Sequence, residues 1–208
     1  MGRQTEPARP PDSTSLDVLR EAAATCTACD LAGPATQTVF GEGPRSARVM
    51  LVGEQPGDQE DRSGQPFAGP AGRLLDRALE QSGIKRNGVY VTNAVKHFRF
   101  ERATRGKQRL HKSPTTTQIR ICAPWLHAEV RSVKPELLIA LGATAAKSLS
   151  GSAFRITEAR GQLRSVEIDQ MSIPFLATIH PSAVLRAEDR EAAMARLVGD
   201  LTVASQAL

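Results

Sequence analysis

Short apolar runs that end in a glycine or a polar residue place the strongest limit on how this chain folds. The runs at 47–53 (ARVMLVG) and 135–142 (PELLIALG) both end in glycine. Continuous apolar runs of this length are typical of strands buried on both faces of a parallel sheet. Between them, GPAGRLLDRALEQSG at 69–83 has the spacing of an amphipathic helix that stops at a glycine. Strands that alternate with helices predict an α/β fold.

Further segments with the same two kinds of pattern complete the predicted fold. Additional strands are predicted at 89–95, 163–168 and 173–180, and additional helices from Ser15 to Cys26 and at 114–133, 143–151 and 187–206. The helix at 114–133 should be interrupted near Pro124, because proline lacks the N–H that a helix interior needs. We therefore predict a single-domain three-layer α/β/α sandwich with a central, mostly parallel sheet over 13–208. A disordered tail at 1–12 would precede it.

A strongly basic segment lies in the middle of the chain. Residues 95–114 contain seven Lys or Arg and a single acid, Glu101, whereas the whole chain carries a formal charge of only +5. Phe98 and Phe100 lie among these basic residues. Positive charge interleaved with aromatic rings favours a nucleic-acid partner, and a solvated loop is the alternative interpretation. We take 98–113 as a candidate DNA-contacting loop.

Nothing in the sequence indicates a membrane or secretory location. No run approaches the roughly 18 consecutive apolar residues of a membrane span, and the first residues lack the apolar stretch of a secretory signal. We therefore expect a cytoplasmic protein with no membrane partner. Three cysteines, an odd number, favour a metal site or free thiols over disulfides in that compartment.

Polar motifs follow three of the predicted strands where each one ends. GEQPGDQED begins at Gly53, NAVKH begins at Asn93, and HPSAVLR begins at His180. In a parallel sheet, ligands bind beyond the carboxyl ends of the strands, so these motifs should meet at one site. Two glycines in GEQPG let the backbone approach a ligand while Glu54, Gln55 and Asp58 present polar groups.

The motifs together resemble a known enzyme family. GEQPGDQEDRSGQPFAGPAGRLLDRAL, YVTNAVKH, LLIALGATAAKSL, RGQ and IHPSAVLR occur in the order and approximate spacing of the uracil-DNA glycosylase superfamily. The resemblance extends from about Cys26 to the final helix and is strongest for the iron–sulfur branch. It implies an enzyme that flips uracil out of DNA and cleaves the N-glycosidic bond.

The resemblance also implies roles for individual residues. Asn93 would bind the Watson–Crick edge of uracil, Phe67 would stack on the flipped base, and His180 would donate a hydrogen bond to a uracil carbonyl. The remaining residues of the predicted uracil pocket are Gly53, Gln55 and Asp58. The predicted DNA contacts are Lys96, Lys107, Arg109 and Arg186. The expected substrate is uracil-containing DNA, with single strands preferred, and we expect a monomer.

The cysteines form a candidate metal site. Cys26 and Cys29 lie in a C-x-x-C motif and Cys122 is a third soft ligand, which from spacing alone favours zinc with a histidine as the fourth ligand. The family resemblance instead implies a [4Fe–4S] cluster with a structural role. His97 stands where related glycosylases have a cysteine and is the candidate fourth ligand, with His127 the lesser candidate. His97 could also support a ligand or contact phosphate.

The basic loop ends in KQRLH at 107–111, similar to the KRRIH segment of the X-type uracil-DNA glycosylases (UdgX). Gln108 and Leu110 replace Arg and Ile of that pattern, whereas the histidine is present. The resemblance implies that His111 attacks C1′ of the sugar and stays covalently bound, giving a single-turnover enzyme. Glu54 would accept a ring N–H from His111, and neighbouring Lys and Arg residues would keep the imidazole neutral.

Two other functions are compatible with these patterns. A conventional uracil-DNA glycosylase would use water as the nucleophile and release its product. A non-catalytic iron–sulfur module would bind DNA through the basic loop. A plain nucleotide-binding domain is disfavoured, because Gly-x-Gly-x-x-Gly and Gly-x-x-x-x-Gly-Lys motifs are absent.

Overall fold

The computed structural model describes residues 6–104, 106 and 108–208. Its strands are β1 (Val49–Gly53), β2 (Val89–Asn93), β3 (Phe100–Arg102), β4 (Arg109–His111), β5 (Leu137–Leu141), β6 (Leu163–Ile168) and β7 (Met171–Thr178). Its α-helices are α1 (Leu16–Ala24), α2 (Asp58–Ser63), α3 (Pro70–Gln81), α4 (Thr116–Val133), α5 (Ala143–Ser150), α6 (Ile156–Ala159), α7 (Pro181–Arg186) and α8 (Arg190–Gln206). A short 3₁₀ helix spans Arg86–Gly88.

A five-stranded sheet forms the centre of the fold, in the order β2-β1-β5-β7-β6. The pairs β1–β2, β1–β5 and β5–β7 are parallel, and only β6 runs antiparallel, against β7. The carboxyl ends of β1, β2, β5 and β7 therefore lie along the same edge of the sheet. This confirms the predicted mostly parallel α/β fold.

Two hydrophobic cores cover the two faces of the sheet. On one face, Met50, Val52 and Leu138 pack with residues of α1, α4 and α5. On the other, Leu51, Val91 and Ile139 pack with residues of α3, α7 and α8. Side chains of successive strand residues point to opposite faces, so strands buried on both sides need apolar residues at nearly every position. The runs at 47–53 and 135–142 have that composition for this reason.

Pro124 does not interrupt helix α4, contrary to the prediction. The helix is continuous from Thr116 to Val133 and begins with a capping box, in which Thr115 and Gln118 each accept a hydrogen bond from the other's backbone N–H. Its inner face buries residues around the proline, including Cys122, Trp125 and Leu126. Burial of that face outweighs the hydrogen bond lost at proline, because tertiary packing supplies most of a helix's stability.

Part of the predicted disordered tail packs on the domain. Ala8 is buried, and its N–H donates to the carbonyl of Ile121 at 2.8 Å. This contact corrects the expectation for that part of 1–12, whose local composition contains no information about a partner far along the chain. Residues 1–5 lie outside the described part of the protein.

The basic loop contains a short β-hairpin. β3 and β4 pair antiparallel with Phe100 opposite His111, and the ring of Phe98 stacks on that of Phe100 with centroids 5.2 Å apart. Arg105 and Lys107, between the two strands, lie outside the described residues. No helix in the described ranges is long and apolar enough to cross a membrane.

Candidate active site

A pocket of about 620 Å³ lies at the carboxyl ends of the parallel strands. Glu54 and Gln55 enter it after β1, Asn93 ends β2, Gly142 and Thr144 follow β5, and His180 follows β7. Phe67, His111 and Arg186 also line the pocket. The structure thus brings together the three strand-end motifs, as the sequence predicts, and adds the end of β5.

Gly53 lies directly against Asn93 and Phe67, two residues that line the pocket. A Cβ atom at Gly53 would lie 2.3 Å from Asn93 Oδ1 and 2.8 Å from Phe67 Cζ, so only glycine leaves both side chains in place. Asn93 is buried, and its side-chain amide makes no hydrogen bond to another described residue. Its donor and acceptor are therefore available to a ligand with a complementary edge, such as uracil.

Phe67 is held in a conformation that non-glycine residues seldom adopt. Its φ is 58°, and a Cβ at Gly72 would lie 1.6 Å from the Phe67 carbonyl oxygen, so helix α3 packs directly against this backbone. Backbone strain of this kind persists only where the surroundings hold it, and it is concentrated at functional sites. The ring of Phe67 lies roughly parallel to that of His180, at a centroid distance of 6.3 Å.

The hydrogen bonds of His180 define its tautomer. Nδ1 accepts the N–H of Ser182 at 3.1 Å, which leaves the ring proton on Nε2. Burial, with smaller contributions from Arg186 and His111 in the same direction, lowers the pKa of His180 to about 4. His180 is therefore neutral near pH 7. Its Nε2–H is not used by Ser182 and can donate a hydrogen bond to a carbonyl oxygen of a ligand.

Gln55 attaches the basic hairpin to the pocket. Its Oε1 accepts the N–H of Arg99 at 3.1 Å, and its Nε2 lies 3.2 Å from the Arg99 carbonyl and 3.0 Å from the Lys112 carbonyl. The same Nε2 lies 3.0 Å from Nε2 of His111. The two hydrogens of the Gln55 nitrogen are shared among these three acceptors, and because that nitrogen can only donate, its hydrogen bond to His111 makes Nε2 the acceptor and leaves the ring proton on Nδ1.

His111 lies at the mouth of the pocket beside Glu54. Nε2 of His111 is 3.7 Å from Glu54 Oε1, and the His111 side chain is 50% exposed. Burial is the main cause that lowers the pKa of His111, Arg186 acts in the same direction, and Glu54 and Glu60 oppose them. The predicted neutral imidazole agrees with this direction, but partial burial and Arg186 are its causes, not the Lys and Arg residues of the loop.

The distance between His111 and Glu54 also corrects the expected contact between them. At 3.7 Å their atoms are too far apart for a hydrogen bond, and the Nε2 atom that faces Glu54 is the acceptor for Gln55. Glu54 therefore acts on His111 through its charge. The other oxygen, Oε2, accepts a hydrogen bond from the hydroxyl of Thr144.

Arg109 and Asp58 do not occupy the predicted positions. Arg109 forms ion pairs with Asp58 and with the fully buried Asp61, and its guanidinium lies 5.4 and 5.0 Å from the ring centroids of Phe98 and Phe100. The Arg109 side chain is only 10% exposed. Arg109 therefore anchors the hairpin to helix α2 instead of contacting DNA, and Asp58 binds Arg109 instead of lining the uracil pocket.

Lys96 is also internal, contrary to the predicted DNA contact. It is 1% exposed, forms an ion pair with the buried Glu129, and donates to Thr92 Oγ1 at 2.6 Å and to the Asn93 carbonyl at 2.8 Å. Glu129 also accepts hydrogen bonds from Gly41, Tyr90 and Thr92. Sequence analysis missed Glu129, because an acid in the middle of a helix has no local pattern that indicates a buried partner.

Among the other predicted DNA contacts, Arg186 is exposed at the end of α7 and lines the pocket. It is therefore available for a phosphate group. Lys107 lies outside the described residues.

Comparison with known proteins identifies the family. The sequence profile described as the uracil DNA glycosylase superfamily matches residues 40–202. The chain belongs to this superfamily. It is 36% identical over 178 residues to the Type-4 uracil-DNA glycosylase of Thermotoga maritima, covering 85% of this chain and 86% of that protein. It is 34% identical over 175 residues to the Type-4 enzyme of Pyrobaculum aerophilum, covering 82% and 85%. A Type-5 uracil-DNA glycosylase of the same organism is 28% identical over 157 residues, covering 67% of this chain and 63% of that protein.

Membership in the uracil DNA glycosylase superfamily supports glycosylase activity on DNA and agrees with the polar groups of the pocket. The parallel pairing of β1, β2, β5 and β7 explains why the sequence motifs converge, because it brings the carboxyl ends of these strands to one edge. Thr144 is one of the pocket residues that sequence analysis missed. Its position two residues after Gly142, just beyond a predicted strand, is the signal that would have indicated it.

The three cysteines are not among the residues that line the pocket: Cys122 lies on helix α4, and Cys26 and Cys29 follow helix α1. Cys29 and Cys122 are buried and Cys26 is partly exposed. Burial raises the pKa of Cys122 to about 12 and also raises the pKa of Cys29. Within the described residues, no group of three His, Cys, Asp or Glu side chains has the arrangement of a formed metal site.

The candidate fourth ligands differ in their surroundings. His97 is buried, follows Lys96, whose N–H donates to Cys122 Sγ at 3.3 Å, and has its Nε2 3.0 Å from the hydroxyl of Thr38. Burial lowers the pKa of His97. His127 lies 3.3 Å from the carboxylate of Asp169, an interaction on the surface of the domain. His97 therefore remains the candidate of the two.

Proposed function

We propose that this protein excises uracil from DNA and then forms a covalent bond between His111 and C1′ of the abasic sugar. The observation that carries the proposal is the position of a neutral imidazole, 3.7 Å from a carboxylate, at the mouth of a pocket equipped for uracil. Conventional glycosylases use a water molecule at the stage where His111 would act. Family membership supports the excision step, and the geometry around His111 supports the capture step.

Three pocket residues would have different roles in breaking the glycosidic bond. Asn93 would bind the edge of the flipped base and Phe67 would cover one face of it. As the C1′–N1 bond breaks, its electron pair leaves with the uracil, and Nε2–H of His180 would donate to the carbonyl on which negative charge accumulates. This donor needs no proton transfer, because His180 is already in the required tautomer.

His111 would then complete the reaction at the sugar. The lone pair of Nε2 attacks the electrophilic C1′, forms the C1′–Nε2 bond and leaves a positive charge on the imidazole, whose Nδ1 keeps its proton. Glu54 would offset that charge. Gln55 holds the imidazole in place and releases Nε2 when the attack begins. Atoms and charge balance, because uracil departs as the anion of the base.

The basic hairpin would position the nucleophile. Arg109 ties β4 to Asp58 and Asp61, and Gln55 ties both ends of the hairpin to the strand-end loop. A nucleophile that the fold already holds near C1′ can react in place of a water molecule, because no further entropy is lost in positioning it. We propose single-stranded uracil-containing DNA as the preferred substrate, since a base outside a duplex is flipped at least cost. A monomer is sufficient for this mechanism.

The cysteines would hold a [4Fe–4S] cluster. Two N–H groups already donate to sulfur, from Trp125 Nε1 to Cys26 and from Lys96 to Cys122, each at 3.3 Å. Donors of this kind stabilise cysteine thiolates that bind iron, so the chemistry around these cysteines fits the group. Cys26, Cys29, Cys122 and His97 would be its ligands. Bound there, the cluster would join the segment after α1, the loop after β2 and helix α4. Its role would be structural, because no step of uracil excision transfers an electron.

A denaturing gel tests the function directly. The protein is mixed with a labelled single-stranded oligonucleotide that contains one uracil, heated in detergent and separated beside an alkali-treated sample. We expect a band shifted by the mass of the protein, absent with a thymine oligonucleotide and absent for His111→Ser. His127→Ser is the matched control and should behave as the wild type, because His127 contacts Asp169 outside the pocket.

The other outcomes separate the alternatives. Alkali-labile DNA without a shifted band would indicate a conventional glycosylase and end the covalent proposal. Neither signal, with oligonucleotide binding retained, would indicate a non-catalytic DNA-binding module.

A further inference from the structure

Glu54 can help His111 only if its carboxylate is held in one orientation. The side chain has three rotatable bonds, and without a second contact its oxygens would sample several positions around the pocket. In the structure Oε1 faces His111 Nε2 at 3.7 Å, whereas Oε2 accepts a hydrogen bond from the hydroxyl of Thr144. One oxygen of Glu54 therefore faces the imidazole, and the other is held by a hydrogen bond.

The backbone that carries Thr144 is itself fixed. Gly142, which follows β5, donates its N–H to the Thr178 carbonyl at 2.8 Å, and its carbonyl accepts the N–H of Ala146 at 3.0 Å. Gly142 has a φ of 90°, and a Cβ there would lie 3.1 Å from Cβ of His180. The turn before α5 is thus restricted to glycine, and it presents Thr144 to Glu54 from a rigid part of the sheet edge.

We propose that Thr144 is a positioning residue for the reaction: its hydroxyl fixes Glu54 Oε2, so that Oε1 stays against the imidazole of His111 while positive charge develops there. This inference deepens the proposed function and rests on the role of His111 as nucleophile. Thr144 acts through Glu54, so its contribution appears in the rate of capture and not in the affinity for DNA.

The test compares Thr144→Val, which keeps the shape of the side chain and removes the hydroxyl, with Thr144→Ser, which keeps the hydroxyl. The rate of adduct formation is measured under single-turnover conditions on the single-stranded uracil oligonucleotide. Affinity is measured by anisotropy with an oligonucleotide that carries 2′-fluoroarabinouridine, whose glycosidic bond resists cleavage. Thr202→Val is the matched control, because Thr202 is also partly buried on a helix and bonds only the Val198 carbonyl.

We expect Thr144→Val to slow adduct formation about tenfold or more, the range for loss of a hydrogen bond to a charged group, with DNA affinity unchanged within about twofold. Thr144→Ser should retain most of the wild-type rate, and Thr202→Val should match the wild type. In a Glu54→Gln background, Thr144→Val should cause little further loss, because no charge remains to be positioned.

Each failure has its own signature. If the wild-type protein forms no adduct, the proposed covalent function is wrong. If the wild type forms the adduct and Thr144→Val forms it at the same rate, the positioning role is wrong while the function stands. The inference would also be wrong if Thr144→Val and Thr144→Ser slowed adduct formation equally. It would be wrong as well if Thr144→Val slowed adduct formation equally in the wild-type and Glu54→Gln backgrounds. Either result would assign the effect to packing.

Discussion

The substitution Glu54→Gln tests the electrostatic part of the mechanism most directly. It keeps the shape of the side chain and an oxygen for the Thr144 hydroxyl, and it removes the negative charge that lies 3.7 Å from His111 Nε2. Two unit charges at that separation attract by about 1 kcal/mol in water and by about 4 kcal/mol at the effective dielectric constant of about 20 that suits protein surfaces. The Glu54 side chain is 19% exposed and that of His111 is 50% exposed, so the true value lies between these limits.

The predicted loss follows from that range. If Glu54 stabilises the imidazolium as C1′ is captured, Glu54→Gln should slow adduct formation between roughly fivefold and a thousandfold. The assay is a single-turnover time course on the uracil oligonucleotide, with the shifted band quantified on a denaturing gel. Release of free uracil, measured on the same samples, reports the excision step separately.

A double-mutant cycle shows whether Glu54 acts through His111. In a His111→Ser background there is no imidazolium to stabilise, so Glu54→Gln should change the rate of uracil release much less than it changes capture in the wild type. An adduct rate for Glu54→Gln within about twofold of the wild type would refute the electrostatic argument. A loss of uracil release that is equal in both backgrounds would refute it as well, because Glu54 would then act on excision itself.

Three further outcomes are expected. His111→Ser should abolish the adduct and admit water to C1′, so that one protein molecule releases more than one uracil, as multiple-turnover assays would reveal. The rate of adduct formation should be constant above pH 6.5, the ordinary pKa of histidine, and should fall only at lower pH, because the lowered pKa of His111 keeps the imidazole neutral down to that range; a decline that begins above pH 7 would contradict this. Lys96→Met should lower the free energy of unfolding by about 3–5 kcal/mol in urea titrations, since it leaves Glu129 buried without its partner, and adding Glu129→Gln should restore part of the loss.

Most of the fold was predictable because its signals are local. A strand buried on both faces needs an apolar residue at nearly every position, as 47–53 and 135–142 show, and an amphipathic helix needs a repeat of about 3.6 residues. The exception, Pro124, lies where burial of the inner face of α4 outweighs a local signal for a break. Local preferences predict a structure only where the packing does not oppose them.

The candidate site was predictable to the level of which segments meet. Glu54, Asn93 and His180 each follow a strand, and parallel strands bring such residues to one edge. The detail of the contacts was not predictable. The family resemblance implies that Glu54 lies near His111. The 3.7 Å separation and the Gln55 hydrogen bond, which assign different roles to their atoms, depend on the packing of the hairpin.

Residue type and spacing along the chain are sufficient to predict the α/β class, the order of the site motifs and the presence of a basic segment before His111. Which charges face the solvent depends on the folded arrangement of the chain. Lys96 and Arg109 belong to the same basic segment, yet Lys96 pairs with Glu129, 33 residues away, and Arg109 with Asp58, 51 residues away. A buried charge needs an opposite charge beside it, and the chain supplies that partner only when folding brings distant segments together.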